Sequence, residues 1–325
     1  FIIRRILWLI PTLFLVSVVA FVIIQLPPGD FVDVYAANLA SSGEGIEQEA
    51  LEAMRERYGF DQPIYVQYFR WISNILTEGD FGVSFEWNEP VENLIWGRLR
   101  LTLAISLTTL MFTWIVALPI GIYSAVFQYS WGAYLFTFIG FVGLAIPTFL
   151  LALVLMYVSY RYFGTSVGGL FSPEYENAPW NWDKFVDFLS HLWIPVIIIG
   201  TSGTALLIRI MRANLLDELR KPYVITARAK GLPEWRVIMK YPVRVALNPF
   251  VSTAGWSLPN LISGSLIVAV VLSLPTTGPL LLRSLTSQDM FLAGAFVLLL
   301  STLTMIGTLV SDLILAWLDP RIRFN

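Results

Sequence analysis

The 325 residues include no cysteine. That excludes disulfides, thiolate metal sites and thiol catalysis. There is one histidine, His191, which excludes a multi-histidine metal cage and the HExxH arrangement. No GxxxxGK[ST] run occurs, so the chain does not cradle nucleotide phosphates by that loop. Charge is scarce: 14% of residues are Asp, Glu, Lys or Arg, against about 25% in soluble domains. No internal repeat is visible, and no carboxylate pair sits inside an apolar stretch. Little is therefore left from which to build a catalytic cluster, and the chain reads as a non-enzyme.

What is present places the chain in a bilayer. It is 56% hydrophobic, with a mean hydropathy of +0.69. Six apolar stretches, at about 6–26, 99–125, 133–160, 192–212, 245–272 and 288–318, are each long enough to cross about 30 Å of hydrocarbon. Lipid offers backbone groups no partners, and the alternation of a barrel strand is absent, so the spans are expected to be helices. The fold class expected is an all-α integral membrane protein with six transmembrane helices. Arg4 and Arg5 precede the first stretch, which is too long for a signal-peptide core and lacks a small-residue cleavage site, so it reads as a retained helix.

Lys/Arg asymmetry sets the orientation. Arg212, Arg220, Lys221, Arg228, Lys230, Arg236, Lys240 and Arg244 lie between the fourth and fifth stretches, and Arg4, Arg5, Arg321 and Arg323 flank the ends. Region 27–97 has thirteen acids against Arg55, Arg57 and Arg70, and loop 162–190 is also acidic. Both ends and the basic loop are thus expected inside, and both acidic regions outside. The expected division is 1–26 as the first transmembrane helix, 27–97 as an external helical region and 98–325 as a five-helix core with its basic loop at about 213–244.

Within the external region, Glu47 to Tyr58 reads as a helix, Gly59 to Pro63 as a turn and Ile64 to Leu76 as a second helix. Tyr65, Tyr68, Phe69 and Trp71 on that second helix suit the headgroup level; the region reads as a small helical cap packed on the spans, with a ligand site as the alternative. Trp180 and Trp182 in the second acidic loop suit a sugar, but also any membrane interface. His191 reads as an interfacial hydrogen-bonding residue.

The basic loop has strong punctuation. Pro222 suits the first turn of a helix, Gly231 the left-handed position after a helix end, and Pro233 the opening of the next helix. The spacing predicts a short helix of about nine residues and then a sharp turn. Ala227, Ala229 and Gly231 have little side chain, so another backbone can approach closely. The loop reads either as a docking element or as a charge signal that fixes topology. The spans hold prolines at 119, 147, 195, 249 and 259, read as static kinks. Trp256, Asn260 and Ser263 form a more polar stripe on the fifth stretch, which either faces a pathway or packs against another helix.

Thr226-Ala227-Arg228-Ala229-Lys230-Gly231-Leu232, followed by Trp235-Arg236, resembles the cytoplasmic loop of ABC importer permeases, and more closely that of the oligopeptide/dipeptide permease family. Leu26-Pro27-Pro28-Gly29-Asp30, Tyr58 to Ile64, Gly79 to Ser84, Leu118 to Gly121, Ile146 to Phe149, His191 to Pro195 and Leu318 to Arg323 resemble the family in the same order. The resemblance implies a permease forming half of a translocation pathway for peptides, paired with a second homologous permease. It implies two ATP-binding subunits and an external substrate-binding protein as partners, in membrane lipid, with no nucleic acid. No cofactor is implied in this chain; ATP and Mg belong to the ATP-binding subunits. Carried over by position, Thr226, Ala227, Arg228, Ala229, Lys230, Gly231, Leu232, Pro233 and Glu234 form the ATPase-docking segment, with Ala227 and Gly231 at the close-contact points. The broader importer pattern begins Glu-Ala-Ala where this chain has Ile225-Thr226-Ala227, so no carboxylate contact is carried over to position 225. Relatives that import oligosaccharides or nickel leave the solute open. A secondary transporter is the alternative of another class; it would more often show inverted repeats and ionisable residues near the midplane.

Overall fold

The computed structural model describes the backbone of residues 2–25, 29, 31–42, 48–163, 168–176, 178–264 and 266–318. Regular structure among these residues is helical, apart from one isolated bridge between Val83 and Pro90. The helices are α1 (Ile2–Gln25), α2 (Phe31–Ser42), α3 (Gln48–Tyr58), α4 (Ile64–Thr77), α5 (Val91–Val126), α6 (Trp131–Ala145) and α7 (Thr148–Val158), which runs into a π-helical turn (Ser159–Phe163). They continue as α8 (Trp182–Leu219), α9 (Pro222–Ala229), α10 (Glu234–Lys240), α11 (Pro242–Gly264), α12 (Leu266–Val271), α13 (Thr277–Thr286) and α14 (Met290–Leu318). They form two compact units, one of Ile2–Leu101 with Thr276–Leu303, the other of Thr102–Pro275 with Thr304–Asn325.

In the first unit, α3 ends where Gly59 turns left-handed (φ +74°), and the Phe60 N–H returns to the Arg55 carbonyl at 2.9 Å. Pro63, with φ preset near its ring value, then opens α4. The aromatics of α4 divide. Tyr68 and Trp71 are buried against Phe21 of α1, with ring centroids 5.4 and 5.8 Å away, and the Tyr68 hydroxyl meets Ser17 Oγ at 2.8 Å. Tyr65 and Phe69 remain exposed. The headgroup placement expected for all four is therefore corrected for Tyr68 and Trp71: three residues apart on one helical face, they bury large apolar areas in a shared core with Phe85 and Met290.

A second anchor of this unit lies in the turn before α5. The fully buried Asp289 accepts from Ser84 Oγ at 2.5 Å and from the Leu292 N–H at 3.2 Å. Arg283 of α13 pairs with Glu86 at 2.5 Å and stacks 4.7 Å from the Trp87 ring.

In the second unit, α6 and α11 pack on α8. The core gathers Leu207, Ile208, Met211 and Leu215 of α8 with Ala117, Ala246 and Phe250. Gly121 allows the close approach, because a Cβ there would stand 2.7 Å from Met211 Cβ. The prolines behave differently from one another. Pro119 and Pro195 lie within continuous helices. At Pro147 the chain breaks: Ile146 turns extended (φ −84°, ψ 121°), and α6 and α7 bend by 101°. The ring excludes helical backbone at the preceding residue, so the third expected span is a broken pair. By length and composition α5, α8 and the Met290–Ile314 part of α14 suffice to cross a membrane, and the bent pair would make a fourth. The apolar part of α1, Leu7–Val22, is shorter; the fifth stretch covers most of α11 and α12.

The second acidic loop closes on the start of α8. Asn181 caps that helix through the Lys184 N–H at 2.8 Å. The buried Lys184 ammonium donates to the Ala178 and Glu176 carbonyls at 2.6 and 3.2 Å and lies 4.8 Å from the Phe171 ring. Trp180 packs edge-on against Phe171 and Phe188, a structural use of one of the two tryptophans that suited a sugar. His191 Nδ1 lies 2.9 Å from the Asp187 carbonyl, in line with a hydrogen-bonding role.

Candidate functional site: the basic helical hairpin

The loop between α8 and α11 is a hairpin of two short helices. Lys221 is extended (ψ 148°) before Pro222, which occupies the first helical turn. The α9 backbone closes with the Lys230 N–H on the Thr226 carbonyl at 3.1 Å, and the Gly231 N–H reaches Arg228 at 2.9 Å. Gly231 is left-handed, φ +73°, a region penalised for residues bearing a Cβ. Pro233 (φ −62°, ψ 138°) then opens α10. Tyr241 is the C-cap of α10, and Pro242 opens α11.

A small core holds the two helices together. Val224 and Ala227 of α9 are buried against Val237 of α10, with Leu232 and Tyr241 at the edges. Across the turn, Arg228 clasps Glu234: Nη2 donates to Oε1 at 2.6 Å, and Nε donates to both carboxylate oxygens at 3.1 Å. Hydrogen bonding to Arg228 holds the Glu234 carboxyl below its ordinary value, and the same bonds raise the Arg228 guanidinium. At the base, the Tyr223 hydroxyl donates to Glu218, and burial followed by that bond pushes the phenol upward.

The hairpin brings together all nine segment residues, Thr226 to Glu234, but uses them differently. Thr226, Arg228, Ala229, Lys230, Gly231, Pro233 and Glu234 are exposed, and Leu232 is half-buried. Ala227 is 5% exposed within this chain. The close approach it permits is between α9 and α10, because its three-residue spacing from Val224 puts both on the inner face.

The outer surface carries apolar side chains that sequence reasoning passed over. Ile225, Trp235 and Met239 are 59%, 64% and 53% exposed, and the Arg236 guanidinium lies 5.4 Å from the Trp235 ring. The signal was available: Trp235 and Met239 stand four apart, on the face of α10 away from Val237 and Ile238. The polar stripe of the fifth stretch falls on α11, but the side chains of Trp256, Asn260 and Ser263 lie outside the described residues. Nearby, Ser311 Oγ of α14 donates to the Val251 carbonyl of α11 at 3.4 Å.

Comparison with known proteins covers the whole chain. A family model described as "Binding-protein-dependent transport system inner membrane component" matches residues 117–324, and one for the N-terminal part of such components matches 1–108. The oligopeptide transport system permease protein AppB of Bacillus subtilis (strain 168) is 35% identical over 326 residues, covering 100% of this chain and 99% of the relative. The glutathione transport system permease protein GsiC of Escherichia coli (strain K12) is 33% identical over 325 residues with the same coverage. Among solved structures, a chain of the inward-facing MetNI methionine ABC transporter aligns with a TM-score of 0.52 at 17% identity, covering 70% of this chain and 96% of that one. That last likeness concerns the fold alone.

Proposed function

From the premise that this chain belongs to the family of binding-protein-dependent transport inner membrane components, we propose how its hairpin and helices serve an importer. It is a multi-pass plasma-membrane permease of the peptide-type ABC importers, a transport rather than a catalytic subunit. In our reading it pairs with a second homologous permease to line one pathway, and an external binding protein delivers the solute. The permease core is 98–325, region 27–97 is external, and six spans leave both ends inside. The solute is a peptide, because the relatives alike along their full length are named for oligopeptides and for glutathione, itself a tripeptide. An oligosaccharide or nickel remains the alternative within this architecture.

One observation carries the docking role of the hairpin. A loop dense in Lys and Arg has no folding reason to leave Ile225, Trp235 and Met239 in solvent. Exposed apolar and aromatic side chains with the Arg236 guanidinium beside Trp235 suit the anchors of a protein contact. The partner is an ATP-binding subunit, and two such subunits hold the ATP and Mg that this chain does not need. Their strokes reach the spans through α8 and α11, the long helices on either side of the hairpin.

Co-purification tests the assembly: the tagged chain should bring down a second permease and two ATP-binding subunits. Trp235→Ala should reduce recovery of the ATP-binding subunits and peptide uptake together, at unchanged membrane abundance. Wild-type recovery with Trp235→Ala and Met239→Ala combined removes the docking surface. Uptake driven by a proton gradient without ATP would identify a secondary transporter instead. For topology, Glu176→Cys should label from outside and Lys230→Cys from inside only; the reverse pattern overturns the orientation.

A further inference from the structure

The first unit contains a cavity of about 520 Å³, within the size range of small-molecule sites. The α3–α4 turn, one side of α4 and the turn before α5 line it, through Gln62, Gln67, Arg70, Trp71, Asn74 and Asp80 among others. We propose that this cavity is a binding site for a small zwitterionic solute, with Arg70 receiving its carboxylate and Asp80 its ammonium group.

Arg70 and Asp80 are the charged side chains among the lining residues. Arg55 is bonded to Asp33, and Arg283 to Glu86. Arg70 makes no hydrogen bond or ion pair among the described residues, although region 27–97 is rich in acids. A guanidinium offers five N–H donors in a planar fork that matches a carboxylate in two-point contact. Asp80 is oriented rather than neutralised: its Oδ1 accepts the Gly82 N–H at 2.7 Å, and no cation pairs with it among the described residues. Gly82 is left-handed (φ +91°) and abuts Phe291, which fixes the turn that presents Asp80.

Trp71 also lines the cavity. It is 4% exposed, and its indole N–H has no acceptor, although buried indole N–H groups usually find one. Its neighbour Tyr68 does have its partner, Ser17. The cavity therefore offers a cation and an anion, flanked by the amides of Gln62, Gln67 and Asn74. A lone anion or cation would satisfy one of the charges; a zwitterion satisfies both. The concave shape favours the end of a small solute over a flat protein surface. The inference draws on the peptide reading above only for its choice of probe.

The test is calorimetric titration of the full chain in lipid nanodiscs with trialanine, trialanine amide and N-acetyl-trialanine. Trialanine should bind, and removing either terminal charge should weaken binding about tenfold or more, as expected for a lost charge-assisted hydrogen bond. Arg70→Gln, at an exposed position, should abolish the difference between acid and amide. Asp80→Asn, which keeps an acceptor for the Gly82 N–H, should abolish the difference between free and acetylated amine. Absence of trialanine binding, or equal binding of the three probes, overturns the proposal; so does discrimination that survives Arg70→Gln. If Arg70→Gln weakens capture of the external binding protein while trialanine binding is unchanged, the cavity is a protein contact and the proposal fails. Uptake of trialanine by the assembled importer is read separately. Binding without uptake refutes the peptide reading and leaves the site, whereas uptake without binding refutes the site alone.

Discussion

Removing the clasp between Arg228 and Glu234 should loosen the hairpin by a small and calculable amount. The pair makes three contacts of 2.6 to 3.1 Å, a two-pronged geometry that places it among the stronger surface pairs. Both side chains are nonetheless well solvated, 42% and 55% exposed, so the appropriate scale is that of exposed pairs, about 0.2–1 kcal/mol. Near the upper end, Glu234→Gln should raise the open fraction of the hairpin about fivefold. Hydrogen exchange at the Lys230 and Gly231 amides, which close α9 on Thr226 and Arg228, reads that opening directly. Arg228→Glu should cost more, since it sets two carboxylates against each other, and Arg228→Glu with Glu234→Arg should recover most of the protection. The pH dependence has a fixed sign. The Glu234 carboxyl is depressed in the folded state from an ordinary value of 4.5. Its contribution is therefore complete above that value and disappears as pH falls through the lower folded value. Added salt should shrink the effect. Unchanged exchange in Glu234→Gln, failure of the swapped pair to recover, or a loss of protection between pH 5 and 7 would each refute the reasoning.

Other perturbations follow from the same geometry. Ala227→Asp places a carboxylate between Val224 and Val237, where burial of an unpaired charge is costly; it should abolish exchange protection in the hairpin and recovery of the ATP-binding subunits. Ala229→Asp, on the exposed side, should leave that protection intact. Gly231→Ala meets no atom within 4 Å of the added Cβ, so its cost is that of backbone at φ +73°, about 1–2 kcal/mol. Gly231→Asn should cost less, and exchange rates of the two variants give the comparison. Gly82→Ala would bring a Cβ to 2.9 Å from Phe291 at a left-handed position; it should destabilise the first unit by about 1–3 kcal/mol, visible as a lower midpoint in thermal unfolding of the detergent-solubilised chain.

Local chemistry was legible residue by residue. Pro222, Gly231 and Pro233 restrict their own dihedrals, so the limits of α9, its left-handed stop and the start of α10 could be read without knowing what packs against them. The same holds for Gly59 and Pro63 between α3 and α4. Apolar length and Lys/Arg asymmetry likewise depend only on composition along the chain. They are sufficient for membrane residence and for an expected orientation.

Facing and pairing depend on what comes from elsewhere. Tyr65, Tyr68, Phe69 and Trp71 share one short helix, and the position of Phe21 on α1 decides that Tyr68 and Trp71 are the buried pair. Ala227 lies on the inner face because α10 folds back over it. Arg228 and Glu234, six residues apart, meet only because Gly231 reverses the chain between them. Pro119, Pro147 and Pro195 all remove one helical donor, yet only Pro147 lies at a 101° break. A proline removes its own N–H and restricts the residue before it, while neighbouring side chains and helices determine whether the freed carbonyl is satisfied in place or the helix ends. Dihedral preference and hydropathy are properties of a residue and its immediate neighbours, so the sequence alone determined the apolar stretches, the punctuation around α4, α9 and α10, and the family. Burial and ion pairing are properties of two segments at once, so only the tertiary structure decided which face of the hairpin looks outward and which charges of the first unit have no partner among the described residues.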